Sequence, residues 1–286
     1  MKVRKAVIPV AGFGTRFLPA TKTIPKVMIP VYDRPSIHYV VEEAVCSGIE
    51  EIVIVVSHGQ ETVMRYFDRN VELEEILEQN REEVLLHQMR SISSMAKIEF
   101  VCQTERLGLG HAVLTAKPLI GSEPFAVLLP DDLIFGHPPT IDSMQQIFNE
   151  YSSSVIAVKR VPNELIASLG IIDFNVIDDS ICKIVGMIEK PDLEKAPSDS
   201  AVIGRYILTP EIFDVIDVIE PGALGEIQLT DAIVELLNSQ DVYGYRFPGI
   251  NFDVGTPLGL LKASLYSAMH TNNISHDVTD WLNNQG

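Results

Sequence analysis

The stretch A-V-I-P-V-A-G-F-G-T-R-F-L-P-A-T-K-T-I-P-K-V-M-I-P, Ala6–Pro30, decides the reading of this chain. It begins as a buried strand and runs into a long loop of glycines, prolines and cations. A glycine-rich turn after a first strand has two familiar forms, the dinucleotide fingerprint and the P-loop. Neither fits. Phe17 stands where the third fingerprint glycine belongs, no G-K-[ST] ending follows, and Pro19, Pro25 and Pro30 stop a helix from starting at once. What remains is an extended loop that offers backbone N–H groups near Gly12 and Gly14, the Thr15 hydroxyl, and the charges of Arg16, Lys22 and Lys26. Such a loop suits phosphate, because oriented amides and cationic side chains both complement an anion. A strained turn of no chemical consequence is the competing reading.

The charge distribution favours the phosphate reading. The 286 residues carry a formal net charge of −17, yet among the first 34 only Asp33 is acidic, against seven Lys and Arg. An acidic protein that gathers cations on one early loop is built to meet a small, highly anionic ligand there. Its overall charge argues against a nucleic-acid surface or an anionic membrane as partner, since both need distributed positive charge. Cys46, Cys102 and Cys182 are an odd number without metal-ligand spacing and fit reduced thiols in the cytoplasm. No run approaches the ~18 apolar residues of a membrane span, and the apolar start is too short for a signal peptide. With 46% hydrophobic residues the chain can bury a large core.

Apolar runs and helical patterns alternate outward from the loop. Strand-like runs occupy Lys5–Val10, Glu51–Val56, Ile98–Cys102, Phe125–Pro130 and Ser154–Lys159. Helical patterns occupy Ser36–Ser47, Gln60–Arg69, Gly110–Ala116 and Ile141–Tyr151. This order predicts right-handed βαβ units and a mainly parallel sheet covered on both faces. Strands at Gly170–Val176, Ile181–Ile188 and Ala201–Leu208 read as a small added sheet. Helices follow at Pro210–Ile216, Leu229–Ser239 and Pro257–His270. Val71–Ser94 reads as one acidic surface helix, or else an arm over the active site or a subunit contact. The expected organisation is a single domain of two halves (1–135 and 136–270) with a loosely docked tail (271–286).

Four further segments carry chemistry. In L-L-P-D-D a buried strand delivers Asp131 and Asp132 at its C-terminal end, where ligands of open α/β sheets bind. Oxygen ligands there suit magnesium; capping of the next turn is the alternative. Asp253, in F-D-V-G, is a turn residue by itself and becomes of interest as a partner for Asp131 on one ion. Glu189-Lys190 offers a hydrogen-bond acceptor for sugar hydroxyls and a point charge for phosphate, or simply a surface ion pair. In Q-T-E-R-L-G-L-G-H-A the Gln103 amide both donates and accepts, as a nucleobase edge requires, while Gly108 and Gly110 allow close backbone approach. His111 there reads as structural. No G-x-S-x-G elbow, H-E-x-x-H or Cys/His cluster is present, so a hydrolase triad or zinc site has no support.

Together and in order, A-G-F-G-T-R-F-L-P-A-T-K-T-I-P-K, L-G-L-G-H-A, F-A-V-L-L-P-D-D, I-E-K-P, G-R-Y-I-L-T-P, G-E-I-Q-L-T-D-A and F-D-V-G resemble the bacterial UTP–glucose-1-phosphate uridylyltransferases, from about Arg4 to Ala268. The resemblance implies an α/β, Rossmann-like three-layer sandwich of glycosyltransferase-A type, and the formation of UDP-glucose and pyrophosphate from UTP and glucose 1-phosphate with Mg²⁺. It implies that Ala11, Gly12, Gln103 and Gly108 hold the uracil, with Gly14 and Thr15 on the same substrate loop. Arg16 and Lys26 would hold the triphosphate, and Asp131 and Asp253 the magnesium, with Asp132 beside them. Gly170, Glu189 and Val202 would face the glucose and Lys190 its phosphate. Gly204, Arg205 and Tyr206 would shape that pocket, with Glu226 supporting it. A nucleotide-binding half at 1–135, a sugar-phosphate-binding half at 136–270 and a homodimer or homotetramer are implied as well. The chain departs from the family pattern at Val27, Ile29, His38, Cys102 and Leu224. A dTTP-using or other sugar-1-phosphate enzyme, and a catalytically silent UDP-glucose-binding regulator, are the rival readings.

Overall fold

Every second residue of the central strands faces a different core, and that alternation builds three layers. The computed structural model describes residues 2–222, 225–270 and 274–284. Its strands are Lys5–Pro9 (β1), Pro30–Val31 (β2), Arg34–Pro35 (β3), Glu51–Val56 (β4), Lys97–Cys102 (β5), Phe125–Leu128 (β6), Asp132–Phe135 (β7), Ser154–Arg160 (β8), Gly170–Val176 (β9), Ile181–Glu189 (β10), Ser200–Leu208 (β11), Val242–Arg246 (β12) and Ile250–Asp253 (β13). Its α-helices are Ser36–Cys46 (α1), Glu61–Phe67 (α2), Val71–Gln79 (α3), Glu83–Ser93 (α4), Leu109–Thr115 (α5), Lys117–Ile120 (α6), Thr140–Tyr151 (α7), Asn163–Ile166 (α8), Ile212–Val218 (α9), Leu229–Leu236 (α10), Pro257–Met269 (α11) and Ser275–Asn283 (α12).

Ala6 and Ile8 of β1, Ile52 and Ile54 of β4, and Ala126 and Leu128 of β6 join one core with Ile37, Val40 and Ala44 of α1 and Ile141, Met144 and Phe148 of α7. Val7, Val53, Val55, Phe125 and Val127, the residues between, join a second core with Val113 of α5, Phe213 of α9 and Ile233 of α10. Phe125 and Phe213 stack face to face, centroids 4.9 Å apart. With apolar side chains on both faces, these strands have no polar side to expose, as expected for a sheet sandwiched between helices.

A single nine-stranded sheet runs β5-β4-β1-β6-β11-β8-β12-β10-β9. Parallel pairing joins β5, β4, β1 and β6, and again β8 and β12. Only β10 and β11 run against the rest. The sequence-based expectation of a separate sheet after Gly170 is corrected here: β9, β10 and β11 extend the main sheet, and β11 sits near its middle. The small added sheet is β7 with β13 instead, Asp253 pairing with Asp132. That pairing brings the two carboxylate segments together across more than a hundred residues of chain.

Val71–Ser94 is also two helices rather than one. The chain turns at Asn80–Glu82, with Arg81 in the left-handed region at φ 59°. α3 packs against α4, and α4 against α2. Part of the tail forms α12 on α11; residues 271–273 and 285–286, and the family departure at Leu224, lie outside the described residues.

Candidate active site

Parallel strands send their C-terminal ends to one edge, and the loops that leave β1, β5 and β6 there enclose a cavity of about 540 Å³. Pro9, Ala11, Gly12, Phe13, Gly14 and Thr15 line it from the first loop, Gln103, Arg106, Gly108, Leu109 and Ala112 from the second, and Leu129 and Asp131 from the third, with Glu226 opposite. A second cavity of about 410 Å³ adjoins it. Its lining includes Arg16, Asp131, Asp132, Gly170, Glu189, Lys190, Val202, Gly204, Tyr206, Thr230 and Asp253. Leu109, Leu129 and Asp131 border both, so the two form one cleft with the Asp131 carboxylate at the junction. No residue of 71–94 lines either cavity, so the α3–α4 hairpin does not cover this cleft.

The loop Gly12–Met28 folds back through short 3-10 turns. Gly14 has φ 64°, and a Cβ there would lie 2.8 Å from the Lys26 Cβ, so glycine is needed for both conformation and contact. Lys26 itself lines neither cavity. Its Nζ reaches the junction and donates to Asp131 Oδ2 at 2.6 Å. Asp253 converges from β13: a Cβ on Gly255 would lie 2.9 Å from Asp253 Oδ1 and 3.2 Å from Asp131 Oδ2. Burial first, then the Asp131 charge, raises the Asp253 carboxyl above the usual carboxylate range. The same two causes push Asp132 up to about 7. Carboxylates crowded in this way are short of positive charge, and a divalent cation is the chemistry that relieves them. Among the described residues no group of three or more His, Cys, Asp or Glu is arranged to hold a metal ion by itself. Two carboxylates fit magnesium, which usually keeps water and phosphate for the rest of its shell.

On the far side, Glu189 Oε2 accepts from Thr230 Oγ1 at 2.9 Å, and Glu189 Oε1 lies 3.3 Å from Lys190 Nζ. A Cβ on Gly170 would fall 2.8 Å from Thr230 Cγ2 and 3.2 Å from Glu189 Oε2, so the bare glycine leaves room for the carboxylate. Lys190 is held at φ 48° and its N–H donates to Leu169 O at 3.0 Å. A left-handed residue before a proline is disfavoured on both counts, and such strain concentrates at working sites.

Two residues are placed otherwise than expected. Arg205 does not face the cleft. It is fully buried on the other side of β11, where Nε and Nη2 donate to Glu43 Oε2 of α1 at 3.0 and 2.8 Å. Its Nη1 donates to the carbonyls of Leu129 and Gly204, both at 3.0 Å, and so props the strand end that presents Asp131. Glu226 lines the first cavity, not the second. Ile227 N donates to Leu107 O at 2.6 Å and Gly110 N to Ile227 O at 2.8 Å, which docks the G-E-I-Q turn on the L-G-L-G loop.

Arg106, Thr230 and Glu43 were not singled out in the sequence. Arg106 Nε donates to Ala11 O at 3.0 Å, Nη2 to Ser57 Oγ at 2.8 Å, and the guanidinium lies 3.6 Å from the Phe13 ring centroid. One side chain thus straps together the loops after β1, β4 and β5. A cation within a motif otherwise read for its glycines was the only signal available.

A cleft along the carboxyl edge of a mixed sheet, lined by a glycine-rich loop, cations and carboxylates, is the kind of site a nucleotidyltransferase uses. The model of the nucleotidyl transferase family matches residues 5–269, and the chain belongs to that family. A UTP–glucose-1-phosphate uridylyltransferase from Staphylococcus epidermidis is 44% identical over 281 residues, covering 98% of each chain. The UTP-bound UGPase of Acinetobacter baumannii superposes with a TM-score of 0.89 at 39% identity, covering 98% of this chain and 99% of its own. A UDP-glucose pyrophosphorylase complexed with UDP-glucose gives 0.85 at 39% identity, over 93% of this chain and 98% of that one. Within the family the chain stands with the bacterial UTP–glucose-1-phosphate uridylyltransferases.

Proposed function

We propose that this cleft carries out the family's reaction, UTP plus glucose 1-phosphate giving UDP-glucose and pyrophosphate, with the uracil in the Gln103 cavity and the sugar in the Glu189 cavity. The observation that supports this most is the shared border: Asp131 lies where a nucleotide in one cavity meets a sugar phosphate in the other. The linings support a nucleotide-binding half at 1–135 and a sugar-phosphate-binding half at 136–270, with Arg16, Leu109, Leu129, Asp131 and Asp132 of the first half also lining the second cavity and Glu226 of the second half lining the first.

A phosphate monoester loses its second proton near about pH 6, so at neutral pH its oxygen needs no general base. That oxygen attacks the α-phosphorus in line; a new P–O bond forms, the bond to the β-phosphate bridge breaks, and pyrophosphate leaves. The protein's task is to hold two polyanions together and stabilise charge at phosphorus. Lys190 aims the attacking phosphate. Glu189, oriented by Thr230, accepts hydrogen bonds from sugar hydroxyls. Arg16 and Lys26 neutralise the triphosphate, which competes with Asp131 for the Lys26 ammonium. Asp131 and Asp253 would hold magnesium, which supplies neutralising charge to the phosphate oxygens.

A homodimer or homotetramer accords with exposed Val84 and Leu85 on α4, and a cytoplasmic location with three unpaired cysteines. Among the described residues no helix is long and apolar enough to cross a membrane. Pyrophosphate release across UTP, dTTP, CTP and ATP with several sugar 1-phosphates tests the reading. Turnover highest with UTP and glucose 1-phosphate is expected; equal or better turnover with dTTP or another sugar phosphate contradicts it.

A further inference from the structure

The Gln103 amide in the base cavity is fixed in one orientation. Its nitrogen lies 3.4 Å from the Gly108 carbonyl oxygen and 2.9 Å from His111 Nδ1. A carbonyl can only accept, so Nε2 must be the atom facing it, and the opposite flip would set two acceptors against each other. Since Nε2 also donates to His111, Nδ1 is the acceptor and the ring proton sits on Nε2 of the imidazole. Gln103 is 3% exposed, its N–H donates to Val56 O at 2.8 Å, and its side chain borders the base cavity. Oε1 takes no hydrogen bond from any described residue and is not among the buried atoms left unpaired. It is therefore the polar atom that Gln103 offers to a ligand.

From this we infer that His111 is a positioning residue for base selection: together with the Gly108 carbonyl it holds the Gln103 amide with its oxygen toward the cavity, so that the site reads a base that carries an N–H donor at its pairing edge and rejects one that carries a bare nitrogen there. The inference rests on the placement of the base in this cavity. Uracil donates through N3–H and satisfies Oε1. Cytosine presents N3 as an acceptor, so lone pairs face one another and two buried acceptors lose their partners, which costs far more than a missing methyl group. With no acceptor at position 111, only the longer 3.4 Å contact to the Gly108 carbonyl holds the amide, and turning over to offer Nε2, which suits cytosine, costs less. Position 111 never touches the base; it acts through Gln103.

The test is the ratio of kcat/KM for UTP over CTP in the wild type, His111→Leu and His111→Asn. Asn carries an oxygen close to where Nδ1 sits, while Leu has none. His111→Leu should lower the ratio by about tenfold or more, the worth of one hydrogen bond. His111→Asn should stay within about threefold of the wild type. His111→Ala serves as a second non-accepting variant should the Leu protein fail to fold. An unchanged ratio in the non-accepting variants, or an equal fall in the Asn variant, overturns the inference and leaves the placement of the base intact. A wild type that uses CTP as well as UTP overturns that placement too.

Discussion

A methyl group on Gly204 would lie 2.6 Å from Asp132 Oδ2 and 2.7 Å from the Leu129 Cβ. Gly204 N–H also donates to Asp132 Oδ2 at 3.1 Å, in the stretch where β11 breaks register with β8 between Val202 and Tyr206. The backbone must come this close for the strand to hold the carboxylate. Gly204→Ala should therefore lower stability by about 1–3 kcal/mol, the usual cost of overpacking, and depress turnover more than substrate binding; thermal melting and steady-state kinetics read both. The polar site residues were legible because each interrupts an otherwise apolar or glycine-rich run. Arg205 was misplaced for the converse reason. β11 is buried along its whole length, so it has no polar face against which to phase its one arginine. Arg106 escaped notice because its partners, Ala11, Phe13 and Ser57, lie on other loops and meet it only through the strand order.

Between elements, the Arg205–Glu43 pair ties α1 to β11 and, through Leu129 O, to the end of β6. Glu43 Oε1 is buried and has no partner among the described residues, so the pair has little slack. Arg205→Met should destabilise the fold by about 3–5 kcal/mol, because it strands a buried carboxylate. Adding Glu43→Gln should recover part of that loss, and a double-mutant cycle in denaturant measures it. The α3–α4 hairpin has a similar lock. Glu74, 3% exposed, receives Arg69 at 2.6 Å and Arg90 at 2.9 Å, and those bonds hold its carboxyl at about 2, below the ordinary 4.5. A depressed carboxyl stabilises above its unfolded pKa and loses that contribution as pH falls through the folded one. The protection of α3 amides, taken relative to the intrinsic exchange rate at each pH, should thus be high at pH 5 and fall progressively as the pH drops from about 4.5 toward 2, whereas Glu74→Gln should lack this step. Sequence periodicity read the hairpin as one helix, since its apolar spacing continues across the turn and only the left-handed Arg81 breaks it.

Over the whole molecule, alternation of strands and helices gave the layers, but not the order of strands. Where β9, β10 and β11 would pair depends on contacts far apart in sequence. Their insertion brings the Glu189-Lys190 and Gly204 segments beside Asp131. The β7–β13 ladder does the same for Asp253. A net charge of −17 with cations concentrated on one loop steers anionic substrates to that edge. The central claim is that one cleft joins nucleotide and sugar phosphate across Asp131. Its most direct test is the rate of pyrophosphate release from UTP and glucose 1-phosphate with Mg²⁺, compared among wild type, Asp131→Asn and Lys190→Ala. Both variants should melt like the wild type and lose about 10²–10³ in rate, the worth of one transition-state charge contact. Either variant turning over within a few-fold of the wild type would contradict the account.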